Sequence, residues 1–123
     1  MLNLNSVMIG SENPKQLAAF YGKILDKRPD MEDNGYIGFL AGSCFISVGP
    51  HDKVKGKSEN PERIMFFFET EDVKAEFERL KGLGAEVIAE PYNPGEQENW
   101  WLATLADPDG NYFQLASPWN QGS

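Results

Sequence analysis

The sequence holds one cysteine and one histidine. A single thiol, Cys44, excludes an internal disulfide framework and suits a reducing cytoplasm. A single imidazole, His51, excludes the histidine-rich sets that hold most transition metals, and no cysteine or carboxylate cluster at ligand spacing takes their place. No metal and no cofactor are therefore expected. No apolar run approaches the roughly 20 residues a membrane span needs. Residues 1–5 lack the basic segment and long apolar stretch of a signal peptide, so a cytoplasmic location and no membrane partner are expected. Basic residues are few: 11 Lys and Arg stand against 19 Asp and Glu, a net charge of −8. Such a chain offers no basic stripe to phosphates, so nucleic acid is not an expected partner. The acidic excess serves solubility and mildly favours a neutral or cationic ligand over an anionic one. Ser-His-Asp, P-loop and Rossmann signatures are absent as well.

Against these absences, 41% of the 123 residues are hydrophobic and 12% aromatic, enough for the core of a single domain. The most informative stretch is 100–116, Trp-Trp-Leu-Ala-Thr-Leu-Ala-Asp-Pro-Asp-Gly-Asn-Tyr-Phe-Gln-Leu-Ala. Two short apolar strands flank a tight Asp107-Pro108-Asp109-Gly110-Asn111 turn. A three-residue turn with a bulge at Gly110 pairs Thr104 with Gln114. Upstream, residues 4–9 read as a strand. Asn13-Pro14 opens a helix, with Gln16 completing a capping box, and Leu17, Ala18, Tyr21 and Leu25 on one face. A short edge strand is expected at 27–31. Two alternating strands follow around a two-residue Gly42-Ser43 turn. Residues 50–61 are polar and read as a linker. The buried strand 63–69 leads into a helix over 72–83, stopped by Gly82 and Gly84. A strand at 85–89, a loop at 92–99 and the final hairpin complete the chain.

The order is strand, helix, three strands, and then the same again. Ser11-Glu12-Asn13-Pro14-Lys15 is echoed by Thr70-Glu71-Asp72-Val73-Lys74, each between a strand and a helix. In that register Ala18, Tyr21 and Ile24 meet Phe77, Leu80 and Leu83, as an internal duplication predicts. The fold class expected is α+β: two tandem βαβββ modules forming a cupped mixed sheet. The whole of 1–123 is one domain, with module one at about 4–49, the linker at 50–61 and module two at about 62–117.

One helix covers only one face of a four-stranded sheet. Alternation places Val7, Ile9, Ile37, Phe39, Ile46, Val48, Ile64, Phe66 and Phe68 on the helix side. The opposite face carries Ser6, Met8, Gly38, Phe45, Ser47, Met65, Phe67, Trp100, Leu102, Thr104, Tyr112 and Gln114. A one-residue slip would exchange Trp100 for Trp101. Aromatic and sulfur-bearing side chains with a few uncharged polar groups are the composition of a ligand pocket, and equally of a glued sheet interface.

The twin modules, the helix openings and the Asp-Pro-Asp-Gly-Asn hairpin resemble the vicinal oxygen chelate superfamily over about residues 4–117. That superfamily includes glyoxalase I, extradiol dioxygenases, fosfomycin-modifying enzymes and bleomycin-resistance proteins. The resemblance implies four metal ligands on the inner face, usually His and Glu, at positions that fall here on Ser6, Ser47, Met65 and Gln114. None has that ligand chemistry. The expected ligand-binding residues are Ser6, Phe45, Ser47, Met65, Phe67, Trp100, Tyr112 and Gln114. Catalytic candidates are confined to His51, whose titration range suits proton transfer, and Arg63, two residues before Met65, which would clamp an anionic group. The implied function is metal-free binding or sequestration of a small apolar or aromatic molecule. The alternatives are a glyoxalase-type lyase or isomerase with a rebuilt site, and a small interaction subunit whose cup is filled by its own side chains. Open sheet edges make a homodimer the expected assembly.

Overall fold

Each half of the chain forms a four-stranded mixed sheet with one helix packed on it. The computed structural model describes residues 1–95 and 99–118. The first module contains β1 (Ser6–Ser11), α1 (Pro14–Leu25), β2 (Met31–Asp33), β3 (Tyr36–Ala41) and β4 (Cys44–Pro50). The second contains β5 (Phe66–Glu69), α2 (Val73–Gly82), β6 (Glu86–Tyr92), β7 (Leu102–Ala106) and β8 (Tyr112–Ala116). The strand orders match, β1-β4-β3-β2 and β5-β8-β7-β6. In both, the first strand runs parallel to the last and the others are antiparallel. The fold is α+β with two tandem βαβββ modules, and the chain separates into two compact units between Lys57 and Ser58.

The duplication extends to the helix starts. Ser11 Oγ accepts the Asn13 N–H at 2.9 Å, and Thr70 Oγ1 accepts the Asp72 N–H at 3.3 Å. Asp72 then caps α2, accepting the Ala75 N–H at 3.0 Å. The capping box expected at Asn13 does not form; its side chain makes no capping bond. The Asn13 N–H that Gln16 would reach is already held by Ser11. Proline at the first helical position carries α1 instead.

The cores lie on the helix sides. In the first module Leu17, Ala18, Tyr21 and Ile24 of α1 are buried with Phe39, Ile46 and Val48. Ile24, rather than the expected Leu25, completes the buried stripe. In the second, Val73, Phe77 and Leu80 of α2 are buried with Ala103, Leu105, Phe113 and Leu115. Phe68 meets Phe113 edge-on at 5.6 Å between ring centres. Each of the larger aliphatic and phenyl side chains stabilises its module by about 1.5–3 kcal/mol through area removed from water.

Three strand expectations need correction. The edge strand expected at 27–31 is Met31–Asp33. Residues 26–30 are occupied otherwise: Asp26 turns left-handed (φ 55°) to end α1, the Lys27 N–H returns to Gly22 O, and Asp30 anchors β3. Asp30 Oδ2 takes Lys27 Nζ and the Leu40 N–H, both at 2.7 Å. The Lys27 bond first, then the Leu40 amide, hold its carboxyl below the usual carboxylate range. The strand expected over 63–69 begins only at Phe66. Among the described residues it pairs only with β8, which begins at Tyr112, and Phe66 already pairs with Phe113. Arg63, further back, would need a partner inside the Asp107–Asn111 turn. The strand expected at 85–89 runs on to Tyr92, through two irregularities. Pro91 is tolerated there because β6 is an edge strand. Of the loop expected at 92–99, residues 96–98 lie outside the described residues.

Candidate functional site

The final hairpin sets the register of the helix-free face in module two. Asp107 and Asn111 close a three-residue turn through Asp107 N–H to Asn111 O and Gly110 N–H to Asp107 O, both 2.9 Å. Gly110 takes φ 79°, which a side chain would resist. The Asp107 carboxylate accepts the N–H groups of Asp109 and Asn111 at 2.9 and 3.0 Å. This fixes Thr104 opposite Gln114, as the turn length predicts. Ala89 of β6 lies opposite Thr104, and Phe67 of β5 lies level with Gln114. Four strands thus present one row, Ala89, Thr104, Gln114 and Phe67, with neighbours about 4.8 Å apart. Thr104 and Gln114 are buried, and the Thr104 hydroxyl donates to Gln114 Oε1 at 2.7 Å. Phe67, beside this buried pair, is 55% exposed.

Module one repeats the row with different chemistry. Gly38 lies opposite Ser47, and Met8 is level with Ser47 on the parallel strand. Gly38 takes the place of Thr104, Ser47 that of Gln114, and Met8 that of Phe67. Two rings fill the space above glycines. A Cβ on Gly38 would lie 2.4 Å from Phe45 Cε2 and Cζ, and one on Gly49 would lie 2.7 Å from Tyr36 Cδ2. Ser47 stands between these rings, half-buried.

Of the expected binding residues, Phe67, Tyr112 and Gln114 stand on the helix-free face of the second sheet, and Ser6, Phe45 and Ser47 on that of the first. Met65 is half-buried, one residue before β5 begins. The ambiguity at Trp100 and Trp101 resolves through Trp101. Its N–H donates to Ser117 Oγ and its carbonyl accepts the Ser117 N–H, continuing the ladder. Lys74 Nζ, from α2, lies 3.9 Å from its ring centre, so Trp101 is on the helix side. Trp100 takes the other side by alternation. Its carbonyl accepts Asn93 Nδ2 at 2.9 Å.

His51 follows β4 and sits against Gly10, where a Cβ would be 3.1 Å from its own Cβ. Its Nδ1 accepts the Lys53 N–H at 3.1 Å, which leaves Nε2 to carry the proton in the neutral ring. Gly10 is level with Gly49 and shares the face of Met8, so His51 lies over the step next to the Met8–Ser47 level. Arg63 does not share the strand face of Met65: it is exposed in a turn, with its N–H on Asn60 O. Met8, Thr104 and Gly38 belong to the site rows although the sequence reading did not select them. The parallel pairing of first and last strands in each module is the signal that finds them.

A family model for a glyoxalase-like domain matches residues 6–116. The chain belongs to the glyoxalase-like family. It is thereby a member of the vicinal oxygen chelate superfamily. Solved structures agree on the fold. A glyoxalase-related enzyme from Fulvimarina pelagi superposes with TM-score 0.76 at 17% identity, covering 100% of this chain and 94% of that one. A glyoxalase/bleomycin resistance protein/dioxygenase family enzyme from Burkholderia phytofirmans PsJN gives 0.75 at 19%, covering 94% and 98%. The genomically encoded fosfomycin resistance protein FosX from Listeria monocytogenes gives 0.68 at 20%, covering 97% and 93%. No curated protein matches the sequence.

In this glyoxalase-like chain the four ligand positions offer two hydroxyls, a thioether and an amide. The one carbonyl oxygen among them, Gln114 Oε1, already accepts a hydrogen bond from Thr104. Met65 is a soft donor, mismatched to the hard or borderline divalent ions the family uses. Among the described residues, no three His, Cys, Asp or Glu side chains are grouped to hold an ion. The residues present do not fit the family's metal.

Proposed function

We propose that this glyoxalase-like protein binds or sequesters a small, largely apolar or aromatic molecule, neutral or cationic, on the helix-free faces of its modules, without the family's metal. One observation carries the reading: Phe67, 55% exposed, lies in the same row as the buried, uncharged Thr104–Gln114 pair. A half-wet phenyl ring supplies binding free energy when a ligand covers it, and stacking adds about 0.5–1.5 kcal/mol. The neighbouring amide supplies orientation, as the few polar groups of a ligand pocket do.

A glyoxalase-type lyase or isomerase would need an acid or base within reach of the bound molecule. The row of Ala89, Thr104, Gln114 and Phe67 holds no titratable side chain, which favours the binding reading. Exposed Met8 and Leu40 on the helix-free face of the first module also support a homodimer as the working assembly. Its single thiol suits a cytoplasmic location.

The test is native mass spectrometry and elemental analysis of protein purified without chelator. A small aromatic molecule carried through purification, with no stoichiometric zinc, nickel, iron or manganese, supports the proposal. One tightly held ion per chain, lost on Gln114→Ala or Ser47→Ala, overturns it.

A further inference from the structure

Gln114 is 7% exposed, and its carboxamide has two chemically opposite ends. Which end a ligand meets is decided by Thr104. The threonine hydroxyl proton has no other acceptor among the described residues, so it goes to Gln114 Oε1, at 2.7 Å. The amide is thereby held in one of its two orientations. Its nitrogen, Nε2, has no hydrogen-bond partner among the described residues and is not fully enclosed by protein. Water reaches such an N–H pair in the free protein, and a molecule that covers it without offering an acceptor leaves it unpaired at a cost in free energy.

The surroundings define what supplies that acceptor. Ala89 and Ala116 are small, and neither carries a polar side-chain atom. They lie beside Thr104 and two residues beyond Gln114. Phe67, the next residue in the row, presents an exposed ring about 4.8 Å across the sheet. An oxygen over Nε2 therefore brings the rest of a flat molecule over Phe67.

Resting on the binding function proposed above, we infer that the ligand is an aromatic or conjugated compound with an uncharged acceptor oxygen, of the ketone, aldehyde or amide class. Gln114 Nε2 donates to that oxygen and Thr104 fixes the amide orientation. Gln114 contacts the ligand; Thr104 is a positioning residue. A carboxylate at position 114 would still accept from Thr104 but would turn a second acceptor toward the ligand oxygen.

Matched probes test this: acetophenone against α-methylstyrene, and 2-acetylnaphthalene against 2-isopropenylnaphthalene, in which C=O is replaced by C=CH2. Binding is followed by 15N–1H spectra that include side-chain amides, with the Gln114 pair assigned by its loss in Gln114→Leu. The ketones should bind about tenfold more tightly than the alkenes and move the Gln114 amide signals. Gln114→Glu should abolish the preference. Thr104→Val should weaken it while leaving alkene affinity nearly unchanged, an effect that general loosening of the sheet would not produce. Equal affinity of ketone and alkene for the wild-type protein, or a preference that survives Gln114→Glu, overturns the inference and leaves the binding function standing. Failure of all four probes to bind overturns both.

Discussion

The ring of Phe45 occupies the space directly above Gly38, where a Cβ would come within 2.4 Å of two ring carbons. The glycine and the ring are one feature: the ring stands where its module-two counterpart, Thr104, has a side chain. Tyr36 and Gly49 repeat the arrangement at 2.7 Å.

Gly38→Ala should therefore destabilise the protein by about 1–3 kcal/mol, the cost of overpacking, although alanine normally suits a strand better than glycine. In the background of Phe45→Ala the same substitution should cost much less. Urea denaturation of the two single variants and the double variant measures the coupling. Additive effects would show that the ring yields without strain.

Asp30 gives a pH dependence. Its folded-state pKa is lowered by Lys27 and by the Leu40 amide. A lowered folded pKa means the carboxylate contributes stability above its unfolded pKa, near 4, and loses it as pH falls through the folded value. The melting-temperature gap between wild type and Asp30→Asn should hold steady from pH 7 to about 5 and close below about 4. A gap unchanged at pH 3 would contradict this.

The hairpin depends on Asp107, whose buried carboxylate gathers the Asp109 and Asn111 amides. Asp107→Ala leaves those donors without their acceptor and should cost about 2 kcal/mol or more. Gly110→Ala, at φ 79°, should cost about 1–2 kcal/mol. Because this turn sets the pairing of Thr104 with Gln114, both variants should also shift the Gln114 side-chain amide signals. An unmoved amide would separate the turn from the site.

Particular residues show where the sequence was readable. The pairing of Thr104 with Gln114 followed from Gly110 and the length of the turn, because a three-residue loop leaves one register. The start of β5 was not readable. Residues 64–68 are apolar without a break, and the strand is cut short only because its partner β8 begins at Tyr112. Trp100 and Trp101 are identical neighbours, so composition carried no parity; Ser117 and Lys74 supply it. The edge strand was displaced because Asp26 and Asp30 use side-chain and left-handed backbone chemistry that hydrophobic alternation does not register. Gly38 and Gly49 look like strand interruptions until the rings above them are placed.

The assembly is testable separately. Sheet edges at β1, β2, β5 and β6 and the exposed Met8 and Leu40 lead to the expectation of a homodimer. Light scattering should return twice the chain mass, and Met8→Glu should shift it toward the monomer. A monomer at high micromolar concentration in the wild type would contradict the pairing.

The most direct measurement is a tryptophan-fluorescence titration with small aromatic compounds, neutral and cationic, on wild type, Phe67→Ala and Gln114→Ala, in the presence and absence of EDTA. Saturable binding is expected, unaffected by EDTA and weakened about tenfold or more by Phe67→Ala, with Gln114→Ala also weakening it. Binding that survives both substitutions unchanged, or that EDTA abolishes, would contradict this.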